Sequence, residues 1–168
     1  MRYDSSNWSH AVGECVSNIE LAFREVTSII EEIDGLEDRN MLGGYLTLCG
    51  RNSEGKTVVI FQILVGNNPV GKEEPRRMRS LEKAERLFGH PEHFTSFESR
   101  NPDEGRWGGA IRVSSSDLVI SFSGFPEPAD ELFVYLIASW SKLLTESEKR
   151  HIASLRKNNK YFVRAFDD

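Results

Sequence analysis

Basic side chains gather around two loops of this 168-residue chain that are rich in glycine and proline. The two groups consist of Lys72, Arg76, Arg77 and Arg79, and of Arg100, Arg106 and Arg112. Guanidinium groups bind carboxylate or phosphate through paired hydrogen bonds, so the two groups could converge on one anionic ligand. Glutamates are interleaved with both groups, and solvated ion pairs among these side chains explain the charges equally well.

A polar segment at positions 99–109 contains Arg100, Arg106 and Trp107 and ends in the glycine pair Gly108-Gly109. Polar loops beside a sheet often supply binding groups, and glycine lets the backbone approach a ligand closely. We therefore predict a ligand pocket between a sheet, a helix at 76–88 and this loop. The predicted ligand-binding residues are Arg76, Arg79, Lys83, Arg100, Arg106, Trp107, Gly108 and Gly109. The sequence leaves one alternative open, which is that the loop only covers the surface while Trp107 is anchored in the core.

Two histidines, His90 and His93, are spaced so that they could share one face of a helix and bind zinc or iron. Pro91 interrupts the helical pattern between them, and the sequence shows no third ligand nearby. We therefore predict no metal site and interpret both residues as helix-end or surface histidines.

No catalytic residue is assigned from the sequence. Ser123 lacks the Gly-x-Ser-x-Gly setting of a nucleophile elbow, and the carboxylates fall on predicted helix surfaces. A dedicated hydrolase is therefore not predicted, and whether the chain is an enzyme stays open.

Composition restricts the class of protein. With 39% hydrophobic and 28% charged residues, the chain is typical of a globular domain. The formal net charge of -5 and the lack of a long basic run argue against nucleic acid as a partner. The longest apolar run, at 57–65, is too short to span a bilayer, and the polar N-terminus lacks the layout of a signal peptide. Cys15 and Cys49 are interpreted as buried reduced thiols, so we expect a cytoplasmic protein without membrane association.

Hydrophobic periodicity predicts the elements that position these residues. Helices are expected at 9–34, at 76–88, from about 126–128 to 144, and at 146–157, where Thr145 and Glu148 match a capping box. Strands are expected at 41–49, 57–65, 110–113 and 117–124. The second strand is apolar on both faces, which predicts a central place in the sheet. The predicted fold is α/β of the α+β type, with an antiparallel sheet of two hairpins covered by helices in a profilin-like three-layer arrangement. We expect one domain over 1–168, with a polar tail at 1–10 and an additional helix and tail at 145–168.

Four short features carry a family resemblance. A long first helix precedes a hairpin, and the next helix contains Glu82-Lys83-Ala84. Gly108-Gly109-Ala110-Ile111 enters a strand, and Phe122-Ser123-Gly124 is followed by Asp130-Glu131. In this order, from position 12 to about 143, the chain resembles the haem-degrading domain family, which includes the GlcG-like and HbpS-like proteins. It departs from that family in having Ala110 where a proline is common, and in lacking a clear counterpart of a haem ligand.

The resemblance implies a compact domain that often assembles into homo-oligomers, with haem as the cofactor or ligand of some relatives. Together with the basic residues, it predicts a ligand-binding or sensory domain for haem or a small organic anion. Two alternatives stay open: an enzyme that degrades haem or a related tetrapyrrole, and a non-catalytic module for self-assembly or protein interaction through a sheet edge or an apolar helix.

Overall fold

The computed structural model of the protein describes residues 5–35 and 42–167. Its helices are α1 (Ser5–Asp34), α2 (Glu73–Phe88), α3 (Glu127–Trp140), α4 (Glu146–Leu155) and α5 (Lys160–Phe166). Its strands are β1 (Gly43–Arg51), β2 (Thr57–Gly66), β3 (Ala110–Val113) and β4 (Leu118–Ser123). The predicted fold class, a mixed α and β domain on an antiparallel sheet, is therefore confirmed. The first four residues of the predicted N-terminal tail and the predicted strand start at Met41 lie outside the described residues, and α1 already begins at Ser5.

The sheet has the strand order β2-β1-β4-β3, and every neighbouring pair is antiparallel. The two predicted hairpins are present, and the pairing of β1 with β4 joins them. The predicted central position of β2 was wrong, because β1 and β4 occupy the centre and β2 is an edge strand. Its apolar side chains Val59, Ile63 and Leu64 are exposed rather than covered. An apolar pattern on both faces does not by itself distinguish a covered strand from an edge whose side chains face solvent.

Helices cover both faces of the sheet, which gives three layers. On one face, Leu46 and Leu48 of β1 and Ile120 and Phe122 of β4 belong to the main core with α1 and α3. The opposite face is more polar and lies against α2. There, the Ser80 hydroxyl donates a hydrogen bond to Thr47 Oγ1 at 2.7 Å, and that of Ser121 donates to the Ser80 carbonyl at 2.6 Å. These side-chain bonds fix α2 on the strands that carry the polar residues.

The C-terminal region returns to the domain instead of trailing from it. The predicted capping box opens α4: the Thr145 amide donates to Glu148 Oε2 at 2.7 Å, and the Glu148 amide donates to Thr145 Oγ1 at 3.1 Å. A further helix, α5, was not predicted, and Asn159 caps its start by accepting the amide of Tyr161 at 3.0 Å. The Tyr161 hydroxyl donates to Asp34 Oδ2 at 2.6 Å, so α5 is tied to the end of α1. Within the described ranges, no helix is both long and apolar enough to cross a bilayer.

Candidate functional site

A cavity of about 260 Å³ lies between α2, the end of β4, the start of α3 and the loop that carries Trp107. It is lined by Arg76, Arg79, Lys83, Trp107, Ser123, Gly124, Phe125, Glu127 and Asp130. Half of the predicted ligand-binding residues thus meet on its wall, namely Arg76, Arg79, Lys83 and Trp107. Spacings of three and four residues place the three cations on one face of α2, since such positions are neighbours on a helix surface.

Lys83 forms a compensated ion pair at the floor of the cavity. Its side chain is only 2% exposed, and Nζ donates to the Phe122 carbonyl at 2.8 Å and to Asp130 Oδ2 at 3.0 Å. The other carboxylate oxygen of Asp130 accepts the amides of Phe125 at 2.8 Å and Gly124 at 3.2 Å. Burial raises the pKa of Asp130 to about 6, although Lys83 and the two amides act in the opposite direction. This pair holds α2, β4 and the start of α3 together.

The two glycines of the loop lie against buried charged side chains rather than lining the cavity, and Gly109 lies against the Lys83–Asp130 pair. Gly109 has φ +114°, and a Cβ on it would lie 2.8 Å from Lys83 Nζ and 2.9 Å from Asp130 Cβ. A Cβ on Gly108 would lie 2.1 Å from Glu131 Oε1. Both glycines are needed because the loop passes directly over buried side chains. The sequence analysis assigned both glycines to a ligand, whereas the neighbours of both in this structure are protein side chains.

Arg100 and Arg106 are also off the cavity wall. Arg100 Nε donates to Glu127 Oε1 at 2.6 Å, and its guanidinium lies 5.5 Å from the centre of the Trp107 ring. Arg100 therefore compensates the charge of Glu127 and supports Trp107. Arg106 is exposed and pairs with Glu104 at 3.0 Å, on the outer side of the loop.

A residue that the sequence did not single out, Arg86, holds the loop in place. Its guanidinium donates to the carbonyls of Ser96 at 2.8 Å and Trp107 at 2.5 Å, and to Ser99 Oγ at 2.7 Å. Arg86 could have been predicted to face this loop, because it lies three residues after Lys83 on α2 and therefore on the same helix face. Asp130 and Glu127 were equally overlooked as partners, since they lie far from α2 in sequence.

The charges that remain belong to Arg76 and Arg79. Arg76 Nη1 donates to two neutral acceptors, the Gly43 carbonyl at 2.9 Å and Asn68 Oδ1 at 2.8 Å. Arg79 is exposed at the cavity, and its guanidinium forms no hydrogen bond or ion pair with any described residue. Partial burial lowers the pKa of Arg76, although arginine stays protonated at neutral pH. Asp130 acts on Arg76 only at longer range, and neither guanidinium has a carboxylate of the described residues within ion-pair distance.

The histidines lie elsewhere, beyond the C-terminal end of α2. The predicted interruption of the helix at Pro91 is present, because residues 90–93 form a turn in which the His93 amide donates to the His90 carbonyl at 2.9 Å. The sequence indicated no third ligand nearby, whereas in the structure one carboxylate oxygen of Glu92 lies within 4.8 Å of a ring nitrogen of each histidine. The chain reverses its direction at Pro91, and this turn groups the side chains of His90, Glu92 and His93.

The cavity lining does not fit haem. Haem iron is held by histidine, cysteinate, methionine or tyrosinate, and none of these is among the lining residues. A volume of about 260 Å³ also lies below the roughly 300–1,000 Å³ typical of pockets for drug-sized ligands. The arginines suit an acidic substituent on a smaller molecule.

Comparisons of the chain with protein-family models, with curated proteins and with solved structures found no match. The resemblance to the haem-degrading domain family therefore stays a prediction.

Proposed function

We propose that the protein binds a small molecule with a carboxylate or phosphate group in the cavity beside α2. The observation that carries this proposal is the pair Arg76 and Arg79, whose guanidinium groups line the cavity without a carboxylate partner in the described part of the chain. The other charges of the cavity compensate each other, as Lys83 pairs with Asp130 and Arg100 with Glu127. An anion would complete the charge balance of the site.

The surroundings of the two arginines support an organic anion. Trp107 and Phe125 also line the cavity, so a planar or apolar part of a ligand would find contacts beside the acidic group. Arginine favours carboxylate and phosphate because its planar donors match two acceptor oxygens at once. The ligand class is therefore a compact organic acid or phosphate ester.

The state of Lys83 supports binding rather than catalysis. A lysine acts as a nucleophile only where its amine can reach a substrate, whereas Lys83 is 2% exposed and its Nζ is held between a carboxylate and a carbonyl oxygen. This arrangement supports a ligand-binding or sensory role. The degradation of a tetrapyrrole stays a prediction from family resemblance. The free thiols of Cys15 and Cys49 support a cytoplasmic location, because reducing compartments keep thiols unpaired.

The test compares Arg79→Gln with Arg77→Gln. Both arginines are exposed on α2 and both changes remove one charge, but Arg77 is absent from the cavity wall. The probes are inorganic phosphate, succinate and benzoate, titrated while thermal unfolding and tryptophan fluorescence are followed. A ligand at a hundredfold excess over its dissociation constant raises the free energy of unfolding by about 2.7 kcal/mol.

We expect at least one probe to stabilise the wild type and Arg77→Gln, and to stabilise Arg79→Gln much less. The absence of stabilisation by all probes, or an equal response of both variants, contradicts the proposal. Hemin is titrated in parallel and followed by its Soret band. A haem complex that survives in Arg79→Gln, and that is consumed with reductant or peroxide, would favour the tetrapyrrole-degrading alternative.

A second candidate function, self-assembly through β2, is favoured by one observation. The strand contains no charged residue and no proline, although it forms an edge of the sheet. Charges and proline are common protections of such edges, and an unprotected edge can pair with another strand. The occupant would be β2 of a second copy, paired antiparallel so that the sheet continues across a dimer.

Light scattering of Ile63→Lys tests this second candidate, with Val163→Lys as the matched control. Ile63 on β2 is 38% exposed, and Val163 on α5 is 45% exposed. A wild-type dimer that Ile63→Lys alone converts to a monomer is the expected result. A wild-type monomer, or a dimer that resists Ile63→Lys, would refute assembly through this edge.

A further inference from the structure

We infer that the turn after α2 is a binding site for a divalent transition metal ion, with His90, Glu92 and His93 as its ligands. The inference does not depend on the proposed anion site. The backbone of the turn closes through the hydrogen bond from the His93 amide to the His90 carbonyl at 2.9 Å. Pro91 occupies the second position of the turn, where its fixed φ is favourable. The two imidazole rings consequently stack, with centres 4.7 Å apart and planes inclined by 12°.

Three donor atoms converge at this turn. His90 Nδ1 and His93 Nε2 each lie 3.5 Å from Glu92 Oε1. One ligand atom from each residue lies within 4.8 Å of the other two. Around a tetrahedral zinc ion with bonds of about 2.0–2.1 Å, neighbouring ligand atoms are about 3.3 Å apart. Two of the three separations are thus close to the distance in a coordinated ion, and rotation of the exposed His90 ring out of the stack would bring its lone pair toward the same point.

The donor types select the class of ion. Two imidazole nitrogens and one carboxylate suit zinc, nickel, copper or ferrous iron. Calcium and magnesium prefer sets composed of oxygen atoms. His90 and Glu92 are 42% and 65% exposed at their side chains, so an ion could enter from solvent and keep water in its remaining position.

The neighbouring strand holds the turn in its shape. Arg112 of β3 donates from Nε to the His93 carbonyl at 3.0 Å and from Nη2 to the His90 carbonyl at 3.1 Å. Both ends of the turn are therefore fixed to the sheet. A rigid backbone reduces the conformational entropy that binding would otherwise cost.

One feature sets an upper limit on the affinity. His93 Nδ1 is buried and has no hydrogen-bond partner among the described residues. Metal-bound histidines normally donate their other ring N–H to an acceptor, and loss of such a partner weakens binding by about 10–100-fold. We therefore expect a site that exchanges metal readily rather than a permanent structural centre.

The experiment uses Zn²⁺ in isothermal titration calorimetry and Co²⁺ in visible absorption. The chain has four histidines, which permits a matched design. The double variant His90→Ala/His93→Ala removes the site, and His10→Ala/His151→Ala removes the other two, both exposed. Glu92→Gln changes only an exposed side chain, so it tests the site even where the first variant folds poorly. Both cysteines are poor competitors, because burial raises the pKa of each thiol to about 12.

We expect one Zn²⁺ per chain for the wild type and for His10→Ala/His151→Ala. His90→Ala/His93→Ala and Glu92→Gln should bind Zn²⁺ at least about tenfold more weakly. Loss of a hydrogen-bond partner of a metal ligand already weakens binding by about that factor, and loss of the ligand itself should weaken it more. The inference is overturned where the wild type binds no Zn²⁺, where Glu92→Gln binds as tightly as the wild type, or where His10→Ala/His151→Ala abolishes binding. Arg79→Gln should leave Zn²⁺ binding unchanged, which separates this site from the anion site.

Discussion

Replacement of Lys83 by methionine tests the buried ion pair that forms the floor of the cavity. Methionine fills a similar volume without a charge, so the change isolates the interaction with Asp130. Lys83 is 2% exposed and Asp130 is 3% exposed, so both charges are almost entirely surrounded by protein. Removal of one partner of a buried pair typically costs about 3–5 kcal/mol, because the other charge stays buried without compensation.

The structure refines that magnitude. Asp130 keeps the amides of Gly124 and Phe125 when Lys83 is removed, so we expect a cost of about 3 kcal/mol near pH 8. The pKa of Asp130 is already raised to about 6 by burial, and loss of the Lys83 charge raises it further. Protonation then relieves the uncompensated charge at low pH. The destabilisation by Lys83→Met should therefore be smaller at pH 5 than at pH 8.

Urea unfolding followed by circular dichroism measures these free energies. A cycle of Lys83→Met, Asp130→Asn and the double variant isolates the coupling, which we expect to exceed about 1 kcal/mol because the residues are in contact. A cost below about 1 kcal/mol that is equal at pH 5 and pH 8 would refute the reasoning, as would single costs that simply add.

Three further predictions follow from buried or strained positions. Burial raises the pKa of Glu131 from 4.5 to about 7, so its ionisation should lower the free energy of unfolding as pH rises from about 4.5 to 7. Urea unfolding at several pH values should show a smaller loss of this free energy for Glu131→Gln than for the wild type. An equal loss in both proteins would contradict this prediction. Gly109→Ala should lower the melting temperature more than Gly105→Ala, because both have positive φ but only Gly109 is crowded; equal losses would argue against the close approach. Cys15 and Cys49, whose thiol pKa values are raised to about 12, should react with iodoacetamide only as the chain unfolds, and rapid labelling of the native protein would disprove their burial.

Local patterns in the sequence were sufficient for most elements. The stripe of apolar residues in α1, the capping box at Thr145 and the polar turns between paired strands involve neighbours within one element or one connection. The clustering of Arg76, Arg79 and Lys83 is equally local, because it depends only on helical spacing. These features could be predicted since the forces that produce them act over a few residues.

Other features required elements that are distant in sequence to come together. The edge position of β2 depends on β4 pairing with β1, and no property of β2 itself reveals that choice. The third donor of the proposed metal site became visible only in the folded turn, which brings Glu92 Oε1 to 3.5 Å from one nitrogen of each ring. In both cases the deciding partner is set by chain reversal or by strand pairing rather than by residue type.

The cations of α2 separate the two kinds of information most clearly. From the sequence, Arg76, Arg79 and Lys83 were predicted alike as ligand-binding residues, and helical spacing places them on one face. The tertiary structure places Asp130, from the start of α3, against Lys83, and no carboxylate of the described residues lies within ion-pair distance of Arg76 or Arg79. Charge compensation depends on distances of a few ångströms between elements far apart in the chain, so only the folded structure decides which charge remains for a ligand.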